Sequence, residues 1–362
     1  MAVGLFDTMT ALRELRPQID AAIARVVDSG QFILGPEVSA FEAELAAYTG
    51  ARHAVGVANG TEALTIALRA MGVGPGDEVV VPSYTFYASA EAIPPTVARP
   101  VFCDIDPDTS TVTAQTVKAA LTPRTKAVVA VHLFGNVAPI AEIAALGVPV
   151  LEDAAQAMGA TSPAGRPGAL GTAATFSFYP SKNLGAIGDG GAITTNDDAI
   201  AELARTLRFH GSPDRIAYEH VGYNSRLDEL QAAVLRVMLP HVDDWARGRR
   251  AAAQHYADAG LGQLVALPRA APGATPAWHL YVVHSDRSDE LVAGLNAAGI
   301  GAREYYRTPL HRQRAMAPYA GDGPPLPVTD AFAKTHLAIP MSAFLDAEQA
   351  AEVAAAARAA LA

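Results

Sequence analysis

The sequence predicts an α/β protein: a large domain with a mostly parallel sheet between helices, followed by a smaller C-terminal α+β domain. Three observations carry this prediction. Short Val-rich runs alternate with helical stretches through the first half of the chain. Those runs are apolar throughout, as strands covered on both faces are. After Arg247 the pattern changes to shorter, mixed segments. The expected division is residues 1–246 and 247–362.

Taken in order, residues 37–48, 61–71 and 113–121 read as helices. Between and after them, residues 54–57, 78–81, 100–103, 127–131 and 148–151 read as strands, each bounded by Gly, Pro, Asp or Asn. A long helix is expected over 226–245. Beyond it, 277–284 reads as a strand, 288–298 as a helix and 301–307 as a strand. A proline-rich loop spans 318–327, and an alanine-rich helix closes the chain. No internal repeat is evident.

Bulk properties exclude several function classes. Half of the residues are hydrophobic, enough for a sizeable core. A net charge of −10 and the absence of a basic run argue against a nucleic-acid surface. Cys103 is the only cysteine, so no intrachain disulfide can form and a reducing, cytoplasmic setting is expected. The N-terminus lacks a signal-peptide pattern, and no uninterrupted apolar stretch reaches membrane-spanning length. No His-x-x-x-His pair with a nearby acid and no cysteine pair is present, so no metal is expected.

In an open parallel sheet, ligands bind beyond the carboxyl ends of the strands. The polar residues of interest fall there. Lys182 is one of only four lysines, with Lys118, Lys126 and Lys334. It alone follows an aromatic, apolar run (Phe176-Ser-Phe-Tyr-Pro-Ser-Lys182) and precedes a glycine-rich loop. Such a setting can hold a desolvated amine, and a lysine of lowered pKa forms Schiff bases with aldehydes. The glycines at 185, 188, 190 and 191 make neither a Walker A nor a dinucleotide fingerprint.

Each remaining candidate has two readings. Asp153, in Leu151-Glu-Asp-Ala-Ala-Gln156, is either a helix N-cap or a carboxylate paired with the pyridinium nitrogen of pyridoxal phosphate. Gln156 can then reach the ring oxygen. Asn59-Gly60-Thr61 is either a simple cap or a phosphate-binding helix N-terminus, with Ser177 and Ser181 adding hydroxyls. Phe86 is either core packing or a platform for the cofactor ring. Asn224 either caps the following helix or reaches a phosphate, across a dimer interface. His132 is either a satisfied core histidine or a binding group near a keto-sugar. His311, in the loop that starts at Tyr305, is either merely solvated or near the substrate.

Assembled, these motifs resemble the DegT/StrS-type sugar aminotransferases over nearly the full length. The match runs from Asp28-Ser-Gly-Gln-Phe-Ile-Leu-Gly through Asn59–Leu64, Pro82–Phe86, Glu152–Ala160 and Phe176–Asn183 to Gly222–Ala232. The resemblance implies a fold-type I pyridoxal 5′-phosphate (PLP) enzyme, a homodimer with shared active sites. By position, Lys182 forms the Schiff base with the cofactor and acts as general base, and Asp153 meets the ring nitrogen. Gln156 contacts the ring oxygen and Phe86 covers the ring. Gly60, Thr61 and Ser177 bind the phosphate, joined by Asn224 of the second subunit. His132, Tyr305 and His311 are candidate substrate contacts.

The implied reaction moves an amino group from an amino acid, L-glutamate in most of the family, to a keto-sugar nucleotide. His132-Leu-Phe-Gly135 is similar to the His-Leu-Tyr-Gly of members that aminate 3-keto sugars. Asn136 and Met158 depart from the family pattern, where Gln and His are frequent, and bear on the sugar only. The alternatives are a 4-keto sugar nucleotide, a keto-cyclitol, or a non-catalytic regulatory protein on the same scaffold. A sugar deoxygenase of related type carries histidine at the lysine position, so Lys182 argues for transamination.

Overall fold

The computed structural model describes residues 3–321 and 323–362. Seven strands form the main sheet: β1 (His53–Val57), β2 (Glu78–Pro82), β3 (Arg99–Cys103), β4 (Thr125–Val131), β5 (Val150–Asp153), β6 (Ala173–Ser177) and β7 (Gly191–Thr195). Their spatial order is β1-β7-β6-β5-β4-β2-β3. β6, β5, β4, β2 and β3 run parallel, while β7 is antiparallel to both of its neighbours. Val79, Val80 and Val81 of β2 are fully buried, which is why that strand shows no alternation of apolar and polar residues. Fully burying each such valine contributes roughly 1.5–3 kcal/mol.

Helices Pro36–Thr49, Gly60–Ala70 and Ser288–Ala297 lie where expected. The helix expected over 113–121 is Ala114–Ala120, opened by a reciprocal capping box between Thr113 and Thr116. The helix expected over 226–245 is broken in two. Pro240 lacks the N–H that a continuous ladder needs, so Glu229–Met238 gives way to a 3₁₀ turn, Leu239–His241, and then to Val242–Asp258. That last helix runs straight through position 246/247.

A second sheet of three antiparallel strands follows: β8 (Tyr281–His284), β9 (Arg303–Glu304) and β10 (His336–Ile339), ordered β8-β10-β9. Both β8 and β9 are shorter than the spans expected for them. Val3 joins this region through a parallel bridge to Ile300, so the N-terminal segment packs with C-terminal residues. Most of the expected 318–327 loop is irregular, but a 3₁₀ segment, Arg314–Tyr319, enters it; position 322 lies outside the described residues. The alanine-rich helix is Ala347–Ala360, opened by a capping box of Asp346 with Gln349.

One long-range cap ties the N-terminal segment to the sheet domain. Gly35, the N-cap of Pro36–Thr49, has no side chain to satisfy the first helical N–H groups. Glu229, 194 residues away, accepts from the N–H groups of Gly35, Glu37 and Val38, each at 2.8 Å. Glu229 is 1% exposed. Replacing Glu229 with alanine leaves those partly to fully buried N–H groups without their partner. We expect a loss of roughly 3 kcal/mol or more, read as a lowered urea or thermal midpoint, with Glu229→Gln recovering part of it.

Candidate active site

A cavity of about 600 Å³ opens at the carboxyl ends of the parallel strands. Lys182 and Asp153 line it together. So do Gly60, Thr61, Phe86, Gln156, Ser177, Ser181 and Tyr305. Most of the site residues expected from sequence are thus brought into one chamber from distant parts of the chain.

Burial draws the Lys182 amine down to about 8 from its ordinary 10.5, and the nearby Asp153 carboxylate opposes that shift. The amine is therefore far closer to neutrality than a surface lysine. Lys118, Lys126 and Lys334 are all exposed. Asp153 is the last residue of β5 and is buried. No helix starts after it, so the N-cap reading has no helix to cap. Its Oδ1 accepts from the Ala155 N–H at 3.2 Å, and its Oδ2 accepts from the Ser89 hydroxyl at 2.7 Å. Between Asp153 and Lys182 a short turn is closed by mutual bonds of Ser162 and Gly165.

Asn59 does cap the helix Gly60–Ala70, accepting from the Glu62 N–H at 2.8 Å. Both readings of this turn therefore hold at once: the cap fixes the helix start, and the Gly60 and Thr61 end of the helix lines the cavity. A Cβ on Gly60 would meet the Ser177 Cβ at 2.7 Å, so only glycine lets helix and β6 approach this closely. The helix N-terminus, Ser177 and Ser181 all line the cavity, a set of free N–H groups and hydroxyls that could cradle an anion.

Gln156 lines the cavity with its amide already engaged. Its Oε1 accepts from the Phe134 N–H at 2.6 Å, and its Nε2 donates to the Tyr306 hydroxyl at 3.2 Å. Phe86 is 55% exposed at the cavity rim, its ring 6.5 Å from that of Tyr306. Tyr305 and Tyr306 are held by the buried Tyr84, whose hydroxyl donates to the Tyr305 carbonyl and accepts from the Tyr306 N–H.

Three expected residues stand apart from the chamber. His132 is completely buried; the Ala138 N–H donates to its Nδ1 at 3.0 Å, so Nε2 carries the hydrogen toward Glu152 Oε2 at 2.8 Å. Both nitrogens are occupied, and the ring is a packed core group rather than part of the cavity wall. His311 sits with Nδ1 2.7 Å from the Ser83 hydroxyl and Nε2 3.3 Å from Asp330 Oδ1, beside a different cavity. Burial lowers its pKa. Asn224 is exposed and away from this chain's own cavity. Asn136 and Met158 are likewise spent on structure. The Asn136 amide bonds the carbonyls of Thr109 and Arg269, and the Met158 carbonyl accepts from Asn183.

The sequence reading missed Ser89, Tyr306, His279, Arg303 and Phe6. His279, Arg303, Tyr306 and Phe6 line the cavity. His279 is buried against Phe6, with ring centroids 6.0 Å apart; desolvation, then the charges of Lys182 and Arg249, push its pKa well down. Ser89 was within reach of sequence reasoning, being a serine shortly after the Pro82–Phe86 motif. The others depend on how the N-terminal segment and the C-terminal part fold onto the cavity, which no local pattern encodes.

The model of the DegT/DnrJ/EryC1/StrS aminotransferase family matches residues 13–358. A dTDP-3-amino-3,4,6-trideoxy-alpha-D-glucose transaminase of Streptomyces venezuelae is 47% identical over 97% of this chain and 94% of its own. A pleiotropic regulatory protein of Geobacillus stearothermophilus is 44% identical over 96% of both. The crystal structure of S. venezuelae DesV in complex with a ketimine intermediate superposes with a TM-score of 0.94 at 46% identity, covering 99% of this chain and 98% of that one. The fold is thus that of the PLP-dependent DegT-type aminotransferases, and the cofactor is pyridoxal 5′-phosphate. The residues present fit it: an amine drawn toward neutrality for its aldehyde, a carboxylate for its ring nitrogen, and a glycine-floored helix terminus for its phosphate. Matched over nearly its whole length by family model, sequence and structure, this chain belongs to the DegT/DnrJ/EryC1/StrS aminotransferase family.

Proposed function

We propose that this sugar-nucleotide aminotransferase takes its amino group from L-glutamate and delivers it to C3 of a 3-keto sugar nucleotide. The observation that carries the reading is the Lys182 amine, drawn down to about 8 in the same cavity as the Asp153 carboxylate and the anion cradle. The 3-keto preference draws on the similarity to a 3-amino-trideoxyglucose transaminase.

PLP, when bound, supplies an aldehyde for the incoming amine and a ring that takes up the electrons released at the donor Cα. Lys182 Nζ, drawn toward neutrality in the cavity, would hold the cofactor through its aldehyde. The same Nζ, tethered in the cavity, would act as the general base that takes a proton from the donor Cα and returns it during transamination. Asp153 would present a fixed negative charge to the ring nitrogen and so favour its protonated form. The N–H groups of Gly60 and Thr61 and the hydroxyl of Ser177 hold the phosphate, and Ser181 adds a further hydroxyl.

Phe86 at the rim covers the ring and limits water. Gln156 bears on the ring oxygen from a position fixed by Phe134 and Tyr306. Tyr305 contributes to the sugar side, while His132 acts only through Glu152 and the placement of β5. Asn224, exposed here, reaches the phosphate of a second copy in a homodimer. No described helix is long and apolar enough to cross a membrane, and the one cysteine is a buried thiol; a cytoplasmic setting accords with both.

A regulatory reading on the same scaffold draws on the Geobacillus relative's name. The presence of Lys182, Asp153 and the cradle in one cavity favours catalysis. The test is spectroscopic. Purified protein with added PLP should absorb as a protonated Schiff base, and L-glutamate should convert that band to the pyridoxamine form. Product formation should then be faster with 3-keto than with 4-keto sugar nucleotides. A band that glutamate leaves unchanged would remove the donor assignment.

A further inference from the structure

We propose that Ser89 is a positioning residue for Asp153, and that Thr85 in turn orients Ser89, so that a directed chain of hydroxyls holds the carboxylate in place. The proposal rests on the reading that Asp153 serves the ring nitrogen.

Ser89 lies in the short helix Ala88–Glu91 and is 1% exposed. Its Oγ is 2.7 Å from Asp153 Oδ2. An ionised carboxylate can only accept, so the single hydroxyl proton of Ser89 points at Asp153. The Thr85 Oγ1 lies 3.1 Å from the same Ser89 oxygen. With its own proton already spent, Ser89 can only accept from Thr85. The direction of both bonds follows: the Thr85 hydroxyl donates to Ser89, and the Ser89 hydroxyl donates to Asp153. Thr85 is itself buried at the cavity wall.

The other carboxylate oxygen accepts from the Ala155 N–H at 3.2 Å. Asp153 is thus gripped at both oxygens, by side chain on one and by backbone on the other. Its side-chain torsion has no freedom to turn the charge away from the cavity. Ser89 touches neither cofactor nor substrate in this account; it acts through Asp153.

The test uses holoenzyme reconstituted with ring-¹⁵N-labelled PLP. In Ser89→Ala the carboxylate loses its side-chain donor and is free to turn its charge away from the ring nitrogen. The ¹⁵N resonance should move toward the unprotonated position, and kcat should fall about 10- to 100-fold, the range for losing a buried charge-assisted hydrogen bond. KM for the amino donor should change by less than about threefold, since no substrate contact is removed. Thr85→Val, which keeps the shape and removes the first donor, should give a smaller shift in the same direction. Placed in an Asp153→Asn background, Ser89→Ala should add little.

Two failures are separable. An unmoved ¹⁵N signal in Asp153→Asn itself would remove the ring-nitrogen role of Asp153 and the present proposal with it. A clear shift in Asp153→Asn, with none in Ser89→Ala and additive losses of kcat in the double variant, would overturn the role of Ser89 alone.

Discussion

Lys182→Ala is expected to abolish turnover, lowering kcat/KM by about 10⁴-fold or more. The variant loses a covalent anchor and a proton carrier at once, and general acid–base catalysis by a positioned side chain accounts for about 10²–10⁴ by itself. No other lysine can substitute. Lys118, Lys126 and Lys334 are exposed, and a solvated surface lysine has neither the lowered pKa nor the reach. The cradle and Asp153 remain, so the variant should still bind PLP, though its spectrum should lack the Schiff-base band. Lys182→Arg should fare no better, because a guanidinium stays protonated at working pH. A small primary amine added to Lys182→Ala should restore part of the half-reaction by entering the vacated space as a diffusible base. Full activity in the alanine variant would overturn the mechanism.

The same residue marks where sequence reasoning reached and where it stopped. Lys182 stood out because lysine is scarce in this chain and because an aromatic run precedes it. β1 to β5 were legible for a related reason: each is a short Val-rich or apolar run between turn formers. β6 and β7 were not. Ala-Ala-Thr-Phe-Ser and Gly-Ala-Ile-Thr-Thr carry little apolar contrast, and at Ser177 and Gly191 the start of the helix Gly60–Ala70 crowds the sheet and leaves room only for small residues. The reading of His132 as a sugar contact came from its place after a strand. The structure spends both of its nitrogens on the backbone N–H of Ala138 and on Glu152, which also accepts from Gly168, Leu170 and Gly171. The His-Leu-Phe-Gly segment still bears on the cavity, through Phe134 rather than His132. Phe134 stacks on Tyr306 at 6.1 Å and its N–H fixes Gln156. That contact joins residues far apart in the chain, and no local period announces it.

Asp153→Asn is expected to cut kcat by about 10²–10³-fold, the range found when a preorganised electrostatic group is removed from an active site. Asparagine keeps the size and one acceptor oxygen, so the fold and the Ser89 contact can persist while the charge disappears. The variant also makes a prediction about Lys182 that does not depend on turnover. Burial lowers the Lys182 pKa to about 8, and the negative charge of Asp153 holds it up against that fall. Removing the charge removes the only opposing influence, so the pKa of Lys182 must drop further, not rise. In apoenzyme, the rate at which Lys182 captures an added aldehyde follows its neutral fraction. That rate should climb through pH of about 8 in the wild type and reach its plateau at lower pH in Asp153→Asn. The two effects have opposite senses for the chemist: a more reactive free lysine, and a slower enzyme. A variant in which the lysine titration stays in place would mean that Asp153 and Lys182 do not sense each other across the cavity. Their joint role would then fall, whatever the loss of activity.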